Sequence, residues 1–140
     1  MTLYLDTEFN GFGGELISLA LVSNKGDMFY GVLELPENVH PWVQEHVVPI
    51  LDRNPESFEV FRLRLAMYLV KHRGEKIIAD WPEDLAHLLK CMCAPGGVSF
   101  IHELKLELVR SGELTPMIPH NALSDAQALM RWHQSTIKNQ

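Results

Sequence analysis

Two carboxylates stand at the end of an apolar segment near the N-terminus. Residues 3–5 are apolar or aromatic and lead into Asp6, Thr7 and Glu8, a pattern that predicts a buried strand. Side chains alternate along a strand, so Asp6 and Glu8 point to one face and Thr7 to the other. Neighbouring carboxylates repel each other unless a cation lies between them. Oxygen ligands favour Mg²⁺ or Mn²⁺, although the strand could also end in solvated acids.

Further carboxylates follow where later helices begin. Asp80 ends an apolar segment, and Asp84 falls in the first turn of the next predicted helix, where the helix dipole favours an anion. Asn121 can cap the last helix, with His120 before it and Asp125 in its first turn. Taken singly, each of these acids could simply interact with the dipole of its helix, and His120 could be an exposed loop histidine.

Together these residues form a set suited to phosphodiester cleavage. The set comprises four anions and a titratable base: Asp6, Glu8, Asp84, Asp125 and His120. Two Mg²⁺ or Mn²⁺ ions about 4 Å apart would activate water and stabilise the leaving 3′ oxygen. Histidine titrates near neutral pH, so we expect His120 to accept the proton of the attacking water.

Length and composition limit the classes of protein to consider. The 140 residues, 46% of them hydrophobic, predict a single domain over residues 1–140. The sequence shows neither a membrane-length apolar run nor a signal peptide, and we expect a cytoplasmic protein. Cys91 and Cys93 are too close for a structural disulfide, and no zinc-ligand spacing is present. The formal net charge of -6 argues against binding to long nucleic-acid duplexes, but it is compatible with binding to the end of a nucleic-acid strand.

The order of predicted elements indicates an α/β protein. A three-stranded antiparallel meander comes first, and helices then alternate with strands, which implies a mixed sheet with helices on both faces. The predicted strands are residues 2–8, 15–23, 28–34, 76–80 and 98–101, and the predicted helices are 41–51 (interrupted at Pro49), 55–72, 82–92, 103–110 and one from 121 into the 130s.

The motif order resembles that of the DEDDh 3′–5′ exonucleases. Their first motif, Asp-x-Glu, matches Asp6 and Glu8, and their third motif, His-x4-Asp, matches His120 and Asp125. The second motif has an Asp four residues after an Asn that ends a strand. Here Asp84 is favoured as the motif aspartate, while Asp80 takes the place of the Asn and is the alternative. The resemblance implies a ribonuclease H-like fold.

Within that group the chain is similar to the polyadenylate-specific 3′-exoribonuclease AS family. The similarity covers nearly the whole chain and is carried by Asp6-Thr7-Glu8-Phe9, Glu15-Leu16-Ile17-Ser18, Trp42-Val43-x-x-His46-Val47-x-Pro49 and His120-x-Ala122-Leu123-x-Asp125. It implies two-metal hydrolysis of single-stranded RNA from its 3′ end to 5′-mononucleotides. It also implies a preference for adenylate and a homodimer.

Four further residues are candidates for substrate binding. The resemblance places Phe9 against the terminal base, and Thr7, Ser18 and Trp81 complete the set. Phe9 and Trp81 could equally be packing residues, and Ser18 could bond the backbone. Two alternative functions stay open: a DNA 3′–5′ exonuclease of the proofreading or repair type, and a catalytically silent module that binds RNA 3′ ends. The motifs do not separate RNA from DNA, because that choice depends on contacts to the 2′-OH.

Overall fold

The computed structural model describes residues 1–93 and 103–140. Its strands are β1 (Thr2–Phe9), β2 (Leu16–Ser23), β3 (Met28–Val32), β4 (Lys76–Ala79) and β5 (Lys105–Leu108). Its helices are α1 (Pro41–His46), α2 (Phe58–Lys71), α3 (Pro82–Cys91) and α4 (Ala122–Lys138), with a short 3₁₀ turn at Val48–Ile50. None of the described helices has the length and apolar character needed to cross a membrane. The strand expected at 98–101 lies outside the described residues.

The strands form one mixed sheet in the order β3-β2-β1-β4-β5. β1, β2 and β3 are the expected antiparallel meander, and β4 and β5 add to it in parallel. β1 is therefore the central strand. Because β1 and β4 run the same way, Asp6 and Asp80 emerge at the same edge of the sheet.

Helices cover both faces of this sheet, as expected. The β2 side chains alternate, with Leu19 packed among residues of α2 and α3 and Ala20 packed against α1 and α4. On the second face, α4 presents Ala122 and Ala126, both fully buried. Small side chains allow α4 to lie close to β1 and β2, which brings the first turn of α4 near the end of β1.

One predicted element is wrong. Residues 103–110 were expected to be a helix, but Lys105–Leu108 is the edge strand β5. Leu106 pairs with Ile77 across the parallel ladder, and the neighbouring Lys76 and Glu107 form an ion pair at 2.7 Å. The segment alternates charged and apolar residues, which suits an edge strand, and the pairing to β4 overrides its helix propensity.

Two helix boundaries also differ from the prediction. α2 begins at Phe58 rather than at residue 55, because the Ser57 hydroxyl accepts a hydrogen bond from the N–H of Val60 at 3.3 Å and caps the helix there. α1 ends at His46, and the chain continues as the 3₁₀ turn that contains Pro49. The predicted interruption at Pro49 is confirmed.

Candidate metal centre

The first group of acidic side chains joins β1 to α4. Asp6 and Glu8 point to the same face of the central strand, and Asp125 lies in the first turn of α4. One carboxylate oxygen from each of the three lies within 4.8 Å of the others. Asn121 caps α4, since its Oδ1 accepts the N–H of Ser124 at 3.1 Å, and this cap holds the first turn in place. We call this group the Asp125 subsite.

The second group joins β1 to β4 and α3. Carboxylate oxygens of Asp6, Asp80 and Asp84 also lie within 4.8 Å of one another, and we call this group the Asp84 subsite. Asp84 lies in the first turn of α3, and its Oδ1 accepts the backbone N–H of Thr7 at 3.2 Å and the Thr7 hydroxyl at 2.6 Å. Asp6 belongs to both subsites and stands between them.

Two carboxylate oxygens in this centre are buried without a partner. Asp6 Oδ2 and Asp84 Oδ2 have no hydrogen bond to any residue that the structure describes, and Asp84 is only 2% exposed. Burying an unpaired carboxylate oxygen is strongly unfavourable. A divalent cation would supply the missing partner, and oxygen-only ligands fit Mg²⁺ or Mn²⁺. The residues present therefore fit a two-cation centre with Asp6 shared.

The raised pKa values of the carboxyls in the Asp125 subsite also fit a site for a cation. Burial, followed by repulsion from the neighbouring carboxylates, holds the pKa of Asp6 well above its ordinary value. Burial is also the largest cause that raises the pKa of Glu8 to about 9, and a hydrogen bond shared with Asp125 adds to it. The pKa of Asp125 is raised by burial, while its hydrogen bond to Glu8 and the nearby His120 counter that effect.

Thr7 moderates the electrostatics of the Asp84 subsite. Burial raises the pKa of Asp84 to about 7, and repulsion from Asp80 adds to the rise. The two hydrogen bonds from Thr7 act in the opposite direction because they stabilise the ionised carboxylate. Thr7 thus fixes the orientation of Asp84 and favours the charged form that a cation requires.

His120 lies where the chain enters α4, in a left-handed backbone conformation with φ of 68°. Its backbone N–H hydrogen-bonds Asp125. Its ring packs edge-on against Trp42 with centroids 4.9 Å apart, and Trp42 in turn stacks on His46 at 4.6 Å. The structure therefore brings His120 beside the Asp125 subsite and supports its ring from α1.

The four candidate substrate-binding residues occupy different environments. Trp81 is 56% exposed and lines an open cleft beside Asp6 and Asp84. Phe9 lines the same cleft, with its ring 4.8 Å from that of His87. Ser18 is fully buried opposite Glu8 on β2, and within the described chain its hydroxyl has no partner. Thr7 is buried, and its hydroxyl donates a hydrogen bond to Asp84.

Two further exposed aromatic residues line this cleft, whose volume is about 380 Å³, and neither was among the predicted substrate-binding residues. Phe12 is 96% exposed and Trp42 is 46% exposed, and both line the cleft with Trp81. Phe12 stands between Gly11 and Gly13, which both have positive φ. A large aromatic residue between two glycines in a turn is the signal that would have indicated it.

Comparison with models of known protein families gives no match for this chain, and comparison with curated proteins gives none either. A functional proposal therefore depends on the geometry and chemistry of the candidate metal centre.

Proposed function

We propose that this protein is a metal-dependent 3′–5′ exoribonuclease of the DEDDh type, with a ribonuclease H-like fold. It hydrolyses single-stranded RNA from its 3′ end and releases 5′-mononucleotides. The observation that carries the proposal is the pair of subsites that share Asp6, each built from three carboxylates within 4.8 Å. Two adjacent divalent cations bound there would supply a nucleophile from water and would neutralise charge on the phosphoryl group and the leaving oxygen.

The protein's own residues have distinct roles in this proposal. Asp6, Glu8, Asp84 and Asp125 would hold the cations, and Thr7 orients Asp84. His120 accepts the proton of the attacking water at its imidazole ring, which the contact with Trp42 supports. A histidine beside a carboxylate is suited to this task near neutral pH. Asp125 binds the backbone N–H of His120, so the base and one cation ligand are held by the same turn.

The surroundings of the centre favour a flexible single strand. Phe12, Trp42 and Trp81 are exposed around the cleft, and bases stack on such side chains with about 1–3 kcal/mol each. The chain's net charge of -6 disfavours an extended duplex. The preference for adenylate, the homodimer and the choice of RNA over DNA belong to the proposal because the sequence resembles the exoribonuclease AS family.

The test uses 5′-labelled oligo(A), oligo(U) and oligo(dA), each with Mg²⁺, Mn²⁺ or EDTA. We expect stepwise shortening from the 3′ end that requires metal and is fastest on oligo(A). Asp6→Ala should abolish shortening while circular dichroism shows an intact fold. Glu59→Gln, which removes an exposed charge on α2, is the matched control and should retain wild-type rates.

The alternatives give different results in the same assay. Faster shortening of oligo(dA) than of oligo(A) would identify a DNA exonuclease. Tight binding of oligonucleotide without shortening in either metal would identify a binding module. Unfolding of Asp6→Ala where the wild type is folded would make Asp6 a structural residue and refute its assigned role.

A further inference from the structure

The sheet holds Asp80 in the Asp84 subsite, beside the shared Asp6. It lies one residue beyond β4, whose parallel pairing sets Tyr4 opposite Ile78. Tyr4 and Ile78 pack together on the face that α4 covers. Because side chains alternate along a strand, Asp80 continues that face two residues later, as Asp6 does after Tyr4. The backbone of two neighbouring strands therefore places Asp80 and Asp6 side by side.

A second element orients the Asp80 carboxylate. Beyond the end of β5, the N–H of Val109 donates to the carbonyl oxygen of Ala79 at 2.9 Å, which continues the pairing toward Asp80. Two residues later, Ser111 Oγ donates to Asp80 Oδ2 at 2.6 Å. A hydrogen bond of this length to a carboxylate is charge-assisted and directional. Ser111 thus holds one oxygen and sets the direction of the carboxylate.

The Asp84 subsite needs a positive charge at the point where these carboxylates meet. Thr7 occupies Asp84 Oδ1, and Asp84 Oδ2 is buried without a partner among the described residues. Asp6 and Asp80 supply two more carboxylate oxygens within 4.8 Å. An arrangement of three carboxylates around an unpaired buried oxygen is repulsive in the absence of a cation.

We infer that Asp80 is a direct ligand of the cation in the Asp84 subsite and that Ser111 is its positioning residue. Three carboxylates give this subsite enough anionic ligands to bind a divalent ion before a phosphate of RNA contributes an oxygen. Both subsites are then filled before the substrate arrives. The inference rests on the proposed function of the metal centre and adds to it a fifth carboxylate and an order of binding.

The test measures Mn²⁺ binding to the full chain without RNA, by the loss of the free-ion signal in electron paramagnetic resonance. We expect two ions per wild-type chain. Asp80→Asn should weaken one of them by at least ~10-fold, a loss of the size known for perturbed metal sites. Glu59→Gln removes one negative charge far from the metal centre, and this variant should bind both ions as the wild type does.

Ser111 provides a second variant that leaves the charge of Asp80 unchanged. Ser111→Ala should weaken the same ion by about 10-fold, and Ser111→Thr, which keeps a hydroxyl, should restore its binding. Thermal melting in EDTA checks the fold: Asp80→Asn should melt at or above the wild-type temperature, because it removes a charge from a repulsive cluster.

The outcomes separate this inference from the proposed function. Two tightly bound ions in Asp80→Asn would overturn the role of Asp80 and leave the two-metal exoribonuclease intact. One ion in the wild type that becomes two only when RNA is added would overturn the order of binding. A wild type that binds no Mn²⁺ with or without RNA would overturn the proposed function together with the inference.

Discussion

Removal of divalent cations should make the stability of this protein fall as the pH rises. The cause is the group of buried carboxyls with raised pKa values, among them Glu8 at about 9 and Asp84 at about 7, against ordinary values of 4.5 and 3.8. A folded-state pKa above the unfolded value means that the folded protein binds more protons. Its stability is then complete below the unfolded pKa and is lost as the pH rises through the folded pKa.

The magnitude follows from the number of extra protons. Between about pH 5 and pH 7 the folded chain holds at least these two extra protons, so the free energy of unfolding falls by roughly 3 kcal/mol per pH unit. Between about pH 7 and pH 9 Glu8 still contributes a slope of about 1 kcal/mol per unit, and the raised pKa of Asp6 acts in the same direction. Because domains have only about 5–15 kcal/mol of stability, the loss is measurable. For a chain of this size it lowers the melting temperature by about 5 °C from pH 7 to pH 8.

Cations should reverse this loss. An ion present at 100 times its Kd adds about 2.7 kcal/mol per site, which corresponds to about 10 °C at pH 8. The assay is thermal melting by circular dichroism at pH 6, 7 and 8, in EDTA and in Mg²⁺ or Ca²⁺. Equal melting temperatures across these pH values in EDTA, with no increase in either metal, would refute the reasoning from buried carboxylates.

Glu8→Gln is the control that assigns the effect to one residue. The amide can still donate a hydrogen bond to Asp125, as the protonated Glu8 does, but it does not ionise. In EDTA at pH 8 this variant should melt above the wild type, and its stability should vary less between pH 7 and pH 8. Addition of Mg²⁺ should raise the melting temperature of Glu8→Gln less than that of the wild type. In Mg²⁺ the wild type should therefore melt above the variant.

Two further predictions concern residues beside the centre. Thr7→Val removes the hydroxyl that donates to Asp84. With Mg²⁺ present, urea unfolding should show a free energy of unfolding lower by about 1.5–3 kcal/mol. Thr7→Ser keeps the donor, and its free energy of unfolding should fall by less than half as much. Equal losses in both variants would assign the effect to packing. Trp81→Ala should weaken oligo(A) binding by about 1–3 kcal/mol, measured by fluorescence anisotropy. Phe58 is an exposed aromatic residue on α2, and Phe58→Ala should leave the affinity unchanged. Equal affinities of the wild type and both variants would exclude stacking on Trp81.

Local patterns in the sequence were sufficient for most of the elements. The alternation of Asp6 and Glu8 about Thr7, the turns between the first strands and the cap at Asn121 each depend on residues that are close in the chain. The meander, the mixed α/β sheet and the helices on both of its faces follow from such signals. The strand β5 was missed because Lys105–Leu108 is an edge segment whose structure is decided by pairing with β4, and this pairing partner is distant in sequence.

The sequence also led to the hypothesis of a metal centre, because several carboxylates fall at the ends of predicted strands and in the first turns of predicted helices, although each of them alone could be a dipole partner. Their grouping into subsites was decided by the tertiary structure. The sequence left Asp80 and Asp84 as alternatives for one role, whereas the parallel pairing of β1 with β4 and the start of α3 bring both carboxylates to Asp6. The hydrogen bond between Thr7 and Asp84 spans 77 residues, and the contact of His120 with Trp42 joins α1 to the start of α4. Such contacts depend on how helices pack on the sheet, and no periodicity within a single element encodes them.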